Sequence, residues 1–257
     1  MPVLAITNQK GGVGKTTTAV NLASELARQG RSCLLIDADP QGNATSGVGV
    51  SRTGLPGTYE VLMNGTPLRN VVVATSEANL EVVPASKHLA GAEVELTTAE
   101  GRYVRLARAL SGHHYDYVVI DCPPSLGFLA LNALVAARYV VIPVQCEYYA
   151  LEGLSSLFET LRKVKKSLNP DLDLLGVAIT MFDKRVGLSQ SVVNEVRRHF
   201  PEQTFQTLIP RNIRLAEAPS HGRPVGSYDR WSKGARAYRK LAEEVHDAVT
   251  ARSWQRA

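Results

Sequence analysis

Short apolar runs alternate with longer amphipathic stretches along most of this chain. Several of the runs are continuous and β-branched, which is typical of parallel strands that are covered on both faces. Seven strands are predicted, over residues 3–7, 32–37, 80–84, 117–121, 139–145, 174–180 and 207–209. Between them, apolar residues at helical spacing predict six helices, over residues 16–29, 102–110, 126–137, 151–168, 190–200 and 233–252.

Alternation of strands and helices in this order favours right-handed crossovers and a mainly parallel sheet. We therefore expect an α/β fold, a single doubly wound domain over residues 1–257 with helices on both faces of the sheet. The sequence contains no internal repeat and no segment with the composition of a linker. Residues 42–57 are rich in Gly, Ser and Thr and are predicted to form a mobile excursion.

The composition excludes several classes of protein. Apolar residues make up 44% and charged residues 21% of the 257, which are ordinary values for a globular protein. No apolar run approaches the ~20 residues that span a bilayer, and no signal peptide is recognised at the N-terminus. The three cysteines have neither paired nor metal-ligand spacing, so we expect reduced thiols and a cytoplasmic protein without a cysteine–histidine metal site.

Charge is distributed unevenly along the chain. From position 184 onward there are 14 lysines and arginines against 7 acidic residues, a balance of +7, whereas the whole chain carries +5. The first 183 residues are therefore slightly acidic, at −2. A basic C-terminal third favours a surface that faces a polyanion, although an ordinary solvated basic face explains the same charge.

The stretch Lys-Gly-Gly-Val-Gly-Lys-Thr-Thr at positions 10–17 lies between the first predicted strand and the first predicted helix. Strand, glycine-rich loop and helix N-terminus together form a phosphate-binding arrangement, because backbone N–H groups and the helix dipole both point at the anion. Gly14, Lys15 and Thr16 match the end of the P-loop pattern G-x-x-x-x-G-K-[ST]. The first glycine of that pattern is replaced by Gln9.

An additional lysine, Lys10, follows the replaced glycine, so the loop carries two positively charged side chains. Lys15 is predicted to bind the β- and γ-phosphates, and the Thr16 hydroxyl is predicted to ligate Mg²⁺. Close approach of the backbone to phosphate is allowed by three glycines, Gly11, Gly12 and Gly14.

Further polar residues follow the C-terminal ends of predicted strands, where ligands bind in open α/β sheets. Asp37 and Asp39 follow the second strand, Asp121 ends the fourth, and residues 209–212 follow the last. We expect Asp121 to hold the water shell of a metal, Asp39 to orient an attacking water, and Asp37 to contact the metal region. Structural alternatives are a turn aspartate before Pro40 for Asp39 and a strand-end hydrogen bond for Asp121.

Three of these segments together resemble one family. Residues 10–17 resemble the deviant Walker A motif of the ParA/MinD ATPases, and Asp37-Ala-Asp-Pro-Gln-Gly-Asn and Val119-Ile-Asp-Cys-Pro-Pro-Ser resemble its next two motifs. The likeness runs over nearly the whole chain and is greatest to the small chromosomal ParA, or Soj, type. It implies a P-loop ATPase that uses ATP/ADP and Mg²⁺ and forms a sandwich homodimer with ATP.

The resemblance also implies roles for individual residues. Lys10 becomes the lysine that crosses the dimer interface to the partner's nucleotide, which explains the second positive charge in the loop. Lys10, Lys15 and Asp39 are then catalytic, and Thr16, Asp39 and Asp121 form the metal site. The implied nucleotide-binding residues, of which the last two resemble a loop that contacts adenine, are Gly11, Gly12, Val13, Gly14, Lys15, Thr16, Thr17, Pro210 and Asn212.

The implied function is ATP-dependent partitioning of chromosomes or plasmids. In this interpretation the ATP-bound dimer binds double-stranded DNA without sequence preference, and a ParB-type centromere-binding partner stimulates slow hydrolysis and release. We therefore expect a cytoplasmic, nucleoid-associated protein with no membrane partner and, since the chain begins at the first strand, no helix-turn-helix domain before it. The candidate phosphate contacts, each alone an ordinary surface charge, are Lys184, Arg185, Arg197, Arg211, Arg214, Arg223 and Arg230.

Two other functions are open at this point. A MinD-like membrane ATPase that positions division needs a terminal amphipathic helix with a basic polar face, whereas the last predicted helix carries Glu243, Glu244 and Asp247. An electron carrier like the nitrogenase iron protein needs two exposed cysteines per chain to bridge an iron–sulfur cluster, whereas Cys33 and Cys146 are assigned to strands.

Overall fold

A computed structural model describes residues 1–147 and 150–254 of the chain. The strands are β1 Val3–Ile6, β2 Cys33–Asp37, β3 Val73–Ala74, β4 Leu80–Val83, β5 Tyr117–Asp121, β6 Tyr139–Gln145, β7 Asp173–Phe182 and β8 Thr204–Pro210. They form one eight-stranded sheet in the order β3-β4-β2-β5-β1-β6-β7-β8. Every neighbouring pair is parallel except β3 with β4.

Helices cover both faces of this sheet. Within the described residues they are α1 Lys15–Arg28, α2 Asn43–Gly47, α3 Thr58–Asn64, α4 Leu89–Glu95, α5 Arg105–Leu110, α6 Phe128–Ala136, α7 Ala150–Ser167, α8 Gly187–His199, α9 Ile213–Glu217, α10 Val225–Tyr228 and α11 Lys233–Trp254. Two 3₁₀ turns, Leu68–Asn70 and Ala218–His221, complete the connections. None of the described helices is both long enough and apolar enough to cross a membrane.

Side chains of β1 alternate between two hydrophobic cores, because successive residues of a strand point to opposite faces of the sheet. Val3 and Ala5 belong to the core that includes residues of α3 to α8. Leu4 and Ile6 belong to the core that includes residues of α1 and α11. Tyr238 of α11 is fully buried in this second core. A sheet covered on both faces in this way confirms the predicted doubly wound α/β fold.

All seven predicted strands and all six predicted helices are present, with ends shifted by no more than three residues. β3 was missed because two residues show no periodicity, and α2, α3, α4, α9 and α10 were missed because each is too short to show an amphipathic face. The predicted mobile excursion over residues 42–57 is wrong in its first part. That part contains α2, in which Thr45 is fully buried. Cys146 lies just beyond β6 rather than within it.

Candidate functional site

The loop between β1 and α1 leads into an open helix N-terminus. Gly12 and Gly14 have φ angles of +76° and +89°, left-handed conformations that glycine adopts without strain. No side chain caps the start of α1, so the N–H groups of its first turn are available to an anion. Thr180 of β7 donates a hydrogen bond to the Val13 carbonyl oxygen at 2.8 Å, which ties the loop to the sheet.

Lys15 lies inside this loop. Its side chain is buried, and its Nζ donates a hydrogen bond to the Lys10 carbonyl oxygen at 2.9 Å. Burial lowers the pKa of Lys15, while the negative charges of Asp121 and Asp39 act in the opposite direction. The ammonium group is therefore close to both carboxylates and is held by a backbone carbonyl that a phosphate oxygen can replace.

Asp121 ends β5 opposite Ile6, the last residue of β1. Its side chain is fully buried, and neither carboxylate oxygen has a hydrogen-bond partner among the described residues. Burial raises the pKa of Asp121 well above its usual range, the charge of Asp37 raises it further, and the nearby Thr16 hydroxyl and Lys15 ammonium oppose the shift. A bare buried carboxylate costs free energy unless a cation or its water shell is bound beside it.

The groups around Asp121 are of the kind that Mg²⁺ binds. The Thr16 hydroxyl and the Asp121 carboxylate are hard oxygen ligands, and Mg²⁺ is usually held by one or two carboxylates together with waters and phosphate oxygens. Within the parts of the chain that the structure describes, no group of three or more His, Cys, Asp or Glu side chains is placed to hold a metal. The residues therefore fit a magnesium ion that brings water and nucleotide ligands with it.

Asp37 holds the loop after β2 and also lies opposite Asp121, beside the expected metal region. Its Oδ2 accepts hydrogen bonds from the N–H and the hydroxyl of Thr45, at 2.8 and 2.6 Å, and its Oδ1 accepts one from the Asp39 N–H at 3.2 Å. Burial raises the pKa of Asp37 to about 6, although the hydrogen bonds from Thr45 and Asp39 oppose the shift.

Asp39 is almost fully buried, and its negative charge acts to raise the pKa of Lys15. Its Oδ1 accepts a hydrogen bond from the Gln41 N–H at 2.9 Å, and its carbonyl oxygen accepts one from the Gly42 N–H at 2.9 Å. The turn expected as a structural alternative is thus present, but it occupies one oxygen of the carboxylate. Asp39 lies near the phosphate loop and also shapes its own turn.

A pocket of about 240 Å³ opens beside the phosphate loop. The expected residues Thr17, Pro210 and Asn212 are in its wall, and the Asn212 Oδ1 also accepts a hydrogen bond from the Arg214 N–H at 3.1 Å. The pocket is lined by Gly14, Thr17, Thr180, Met181, Ile209, Pro210, Arg211, Asn212, Leu215, Ala216 and Tyr238. In the sheet, β6 and β7 lie between β1 and β8. The β7 residues Thr180 and Met181 therefore line the pocket between the phosphate loop and the segment at the end of β8.

Lys10 points away from the interior of its own loop. Its Nζ forms an ion pair with the Glu147 carboxylate, and 45% of the Lys10 side chain is exposed. Glu147 follows the C-terminal end of β6, at the edge of the sheet where the other site residues lie. The two lysines of the loop therefore differ in place, since Lys15 is buried inside the loop and Lys10 lies at the surface.

The predicted basic contacts do not form one uniform set. Lys184, Arg211 and Arg223 are exposed and have no ion pair within 4.0 Å among the residues described. Arg185 pairs with Asp183, and Arg214 pairs with Glu217 and Asp229. The Arg230 guanidinium lies 4.7 Å from the centre of the Trp231 ring.

Arg197 differs from the other predicted contacts because it is half-buried. It donates a hydrogen bond to the Gln206 carbonyl oxygen at 3.1 Å, and its Nε is buried. The guanidinium thus helps to attach α8 to β8. This placement argues against Arg197 as a contact to an external phosphate.

Sequence reasoning missed Thr45, Thr180 and Glu147. Thr180 and Glu147 lie at or just beyond the C-terminal ends of β7 and β6, so the strand-end rule that selected Asp121 applied to them as well. Thr45 gave no such signal, because it lies in the stretch that was predicted to be mobile.

The chain matches a known protein family and several known relatives. The model of the family described as AAA domain matches residues 1–174. The sporulation initiation inhibitor protein Soj of Bacillus subtilis is 54% identical over 246 residues, which cover 95% of this chain and 97% of that protein. The chromosome partitioning protein ParA of Myxococcus xanthus is 51% identical over 257 residues, which cover 99% of this chain and 91% of ParA.

A solved structure also resembles this chain. Cobyrinic acid a,c-diamide synthase from Mycobacterium smegmatis, with bound ADP and magnesium, has a TM-score of 0.82 and 40% identity. The match covers 95% of this chain and 93% of that one. With its phosphate loop, its strand-end aspartates and about half of its residues shared with Soj and ParA over nearly their full lengths, the chain belongs to the ParA/Soj family of P-loop ATPases.

Proposed function

We propose that this protein is a chromosome-partitioning ATPase that works as one domain over residues 1–257. The observation that carries the proposal is the bare, buried Asp121 carboxylate beside Lys15 and the open N-terminus of α1. This arrangement matches a magnesium–nucleotide site, and the Myxococcus xanthus relative, which is 51% identical, is named for chromosome partitioning. ATP and Mg²⁺ are accordingly its cofactors.

The proposed chemistry uses four side chains and the first turn of α1. The first-turn N–H groups of α1 and the Lys15 ammonium bind the phosphates. Thr16 and Asp121 would hold Mg²⁺, which would supply positive charge to the phosphates of the nucleotide. Asp39 orients a water for in-line attack on the γ-phosphorus and accepts a proton from it, while the bond to the ADP oxygen breaks and leaves ADP and phosphate.

The adenine end of the nucleotide is assigned to the pocket beside the phosphate loop. Thr17 of α1 lines this pocket, together with Pro210 at the end of β8 and Asn212 just after it. Gly11, Gly12, Val13 and Gly14 supply the backbone around the phosphates. This assignment is supported by the continuity of the pocket with the loop, since Gly14 belongs to both.

Lys10 is assigned to the nucleotide of a second copy of the chain, in an ATP-dependent homodimer. The exposure of its side chain supports this role, since a second copy can reach it once the ion pair with Glu147 opens. A positive charge supplied from outside stabilises the negative charge that develops on the transferred phosphoryl group. Turnover by the chain alone is then slow, because each subunit lacks one of its catalytic cations.

The basic C-terminal third is assigned to double-stranded DNA bound without sequence preference. The exposed Lys184, Arg211 and Arg223 support this assignment, because side chains that form no ion pair among the described residues are able to pair with phosphates. Binding of this kind makes the protein nucleoid-associated. A ParB-type partner is proposed to stimulate hydrolysis and so release the dimer from DNA.

Light scattering after size exclusion tests the nucleotide cycle, with ADP and then with ATP. The wild type is expected to be monomeric with ADP, and the Asp39→Ala variant is expected to remain a dimer with ATP because hydrolysis stalls. Lys10→Ala is the matched comparison, since it should bind ATP as a monomer and lose the dimer. A normal ATP-dependent dimer of Lys10→Ala contradicts the cross-subunit assignment.

A gel shift on duplex DNA of arbitrary sequence tests the DNA assignment separately. ATP-dependent binding that weakens steeply with salt is the expected result, because phosphate contacts release counterions. Binding that ignores ATP or salt contradicts it. Arg197→Ala serves as the internal control, because a half-buried guanidinium should not change the salt dependence.

The last helix gives no support to the membrane alternative. The apolar face of α11 is buried against the body, and Glu244 accepts hydrogen bonds from the N–H groups of Gln206 and Thr207, at 2.6 and 2.8 Å. An amphipathic anchor needs its apolar face free and its polar face basic. Co-sedimentation with anionic liposomes in the presence of ATP is therefore expected to be negative.

A further inference from the structure

The loop that carries Asp39 is held from its outer side by one arginine, Arg52. The Arg52 guanidinium donates hydrogen bonds to the carbonyl oxygens of Pro40 and Gln41, at 2.6 and 2.5 Å. Its Nε is 3.5 Å from the Ala85 carbonyl oxygen, just beyond the end of β4. A single side chain therefore connects the two residues that directly follow Asp39 to the segment after β4.

The same loop is held from its inner side by the Asp37 carboxylate. Thr45 donates its N–H and its hydroxyl to Asp37, and the Thr45 hydroxyl oxygen accepts a hydrogen bond from the Ala85 N–H at 2.9 Å. Both sides of the loop thus meet at Ala85, whose N–H is used by the inner contacts and whose carbonyl oxygen is used by Arg52. Asp39 lies between two sets of hydrogen bonds that share one anchor.

Gly42 shows how closely Arg52 is packed. A Cβ on Gly42 would lie 2.1 Å from the Arg52 Nε and 2.5 Å from its Cδ. Gly42 also has a φ of +65°, a left-handed conformation that favours glycine. Arg52 occupies the space that a Cβ at position 42 would need. The close packing of Arg52 on the loop therefore requires glycine at this position.

We propose that Arg52 is a positioning residue for ATP hydrolysis, which fixes the backbone after Asp39 so that the Asp39 carboxylate stays aligned with the attacking water. The inference rests on the proposed role of Asp39. The guanidinium acts through its planar, fork-like set of donors, which holds two consecutive carbonyls in one orientation. A lysine carries the same charge but cannot hold both carbonyls in that way.

Arg52→Ala is expected to lower kcat for ATP hydrolysis about tenfold or more, because small displacements of a catalytic group are costly. Affinity for ATP, and the ATP-dependent dimer seen by light scattering, should remain those of the wild type, since the phosphate loop is untouched. Arg52→Lys should lose most of the same activity. It keeps the charge and the aliphatic stem, so it also serves if the alanine variant does not fold.

Arg105 offers a matched control elsewhere in the fold. Its guanidinium donates hydrogen bonds to the carbonyl oxygens of Leu62, Met63 and Glu100, at 2.6 to 3.2 Å. Arg105→Ala therefore removes a similar set of arginine–carbonyl contacts that has no link to Asp39. It should change thermal stability by an amount similar to Arg52→Ala and leave kcat unchanged.

Guanidinium rescue separates positioning from general loosening of the fold. Millimolar methylguanidinium should restore part of the kcat of Arg52→Ala, whereas methylammonium should not. Equal kcat in Arg52→Ala and Arg105→Ala, a loss explained wholly by weaker ATP binding, or equal rescue by both ions would overturn the proposal. If Asp39→Ala itself hydrolyses ATP normally, the proposed function of Asp39 fails first, and that outcome is read independently of Arg52.

Discussion

The ends of β2 and β5 place two aspartates side by side, with Asp37 opposite Asp121 in the parallel register and both side chains fully buried. Asp37 has hydrogen-bond donors on both oxygens, from Thr45 and from Asp39, whereas Asp121 has none within the described parts of the chain. The two carboxylates are equally buried, but only that of Asp37 has its hydrogen-bonding capacity satisfied. The difference separates a carboxylate that the fold uses for itself from one that is kept for a ligand.

The largest effect is expected from Asp121→Asn. Hydrolysis of ATP should fall by about 10²-fold or more, because the site loses a preorganised charge that supports the metal. The free energy of unfolding without nucleotide should stay the same or rise, since an unpartnered buried charge disappears. Urea unfolding and a phosphate-release assay measure the two quantities. A large loss of stability would show that Asp121 is structural after all.

Asp37→Asn makes the same substitution at the neighbouring aspartate, but here the free energy of unfolding is expected to fall. One oxygen is replaced by an NH₂ group that faces the N–H of Thr45 or of Asp39, so the variant should lose about 2–4 kcal/mol of unfolding free energy. Urea unfolding checks this value. Equal stabilities for the two asparagine variants would remove the distinction between the aspartates.

The pH dependence of stability sharpens the comparison further. Burial raises the pKa values of both aspartates in the folded state, that of Asp37 to about 6, so between about pH 4 and 6 the folded chain binds more protons than the unfolded chain. Stability without nucleotide should therefore fall as pH rises through this window, by at most about 1.4 kcal/mol per pH unit for each group. Asp121→Asn should flatten the slope in urea titrations at a series of pH values, and an unchanged slope would exclude Asp121 as its source.

The smallest effect is expected at Thr45. Thr45→Val removes the hydroxyl that donates to Asp37 and accepts from Ala85, at a cost of about 1–2 kcal/mol. Thr45→Ser keeps both hydrogen bonds and should cost less. Thermal melts of the two variants provide the measurement, and a valine variant as stable as the serine variant would show that the hydroxyl is dispensable.

These two aspartates also mark how far the sequence predicts the site. Each ends an apolar strand, so the strand-end rule selects both and cannot rank them. What distinguishes them is Thr45, which lies eight residues beyond Asp37 in a segment whose Gly, Ser and Thr content indicated mobility. The hydrogen-bond potential of these residues is satisfied only after the chain has folded, and composition does not report it.

The β1–loop–α1 unit was predictable because strand, glycines and helix are contiguous in the sequence. Contacts between distant segments were not. Lys10 and Glu147 are 137 positions apart, and so no local pattern joins them. The link from Thr180 to Val13 spans 167 positions and was missed for the same reason.

The central place of β1 has a consequence for how the protein is made. Val3 pairs with Val118 on one side, and Leu4 pairs with Tyr139 on the other. β1 therefore has no partner in the sheet until β5, which begins at Tyr117, has been translated. The phosphate loop is synthesised before these supporting strands, and closure of such distant pairs is slow. A nascent chain consequently cannot assemble the site until β5 and β6 have emerged.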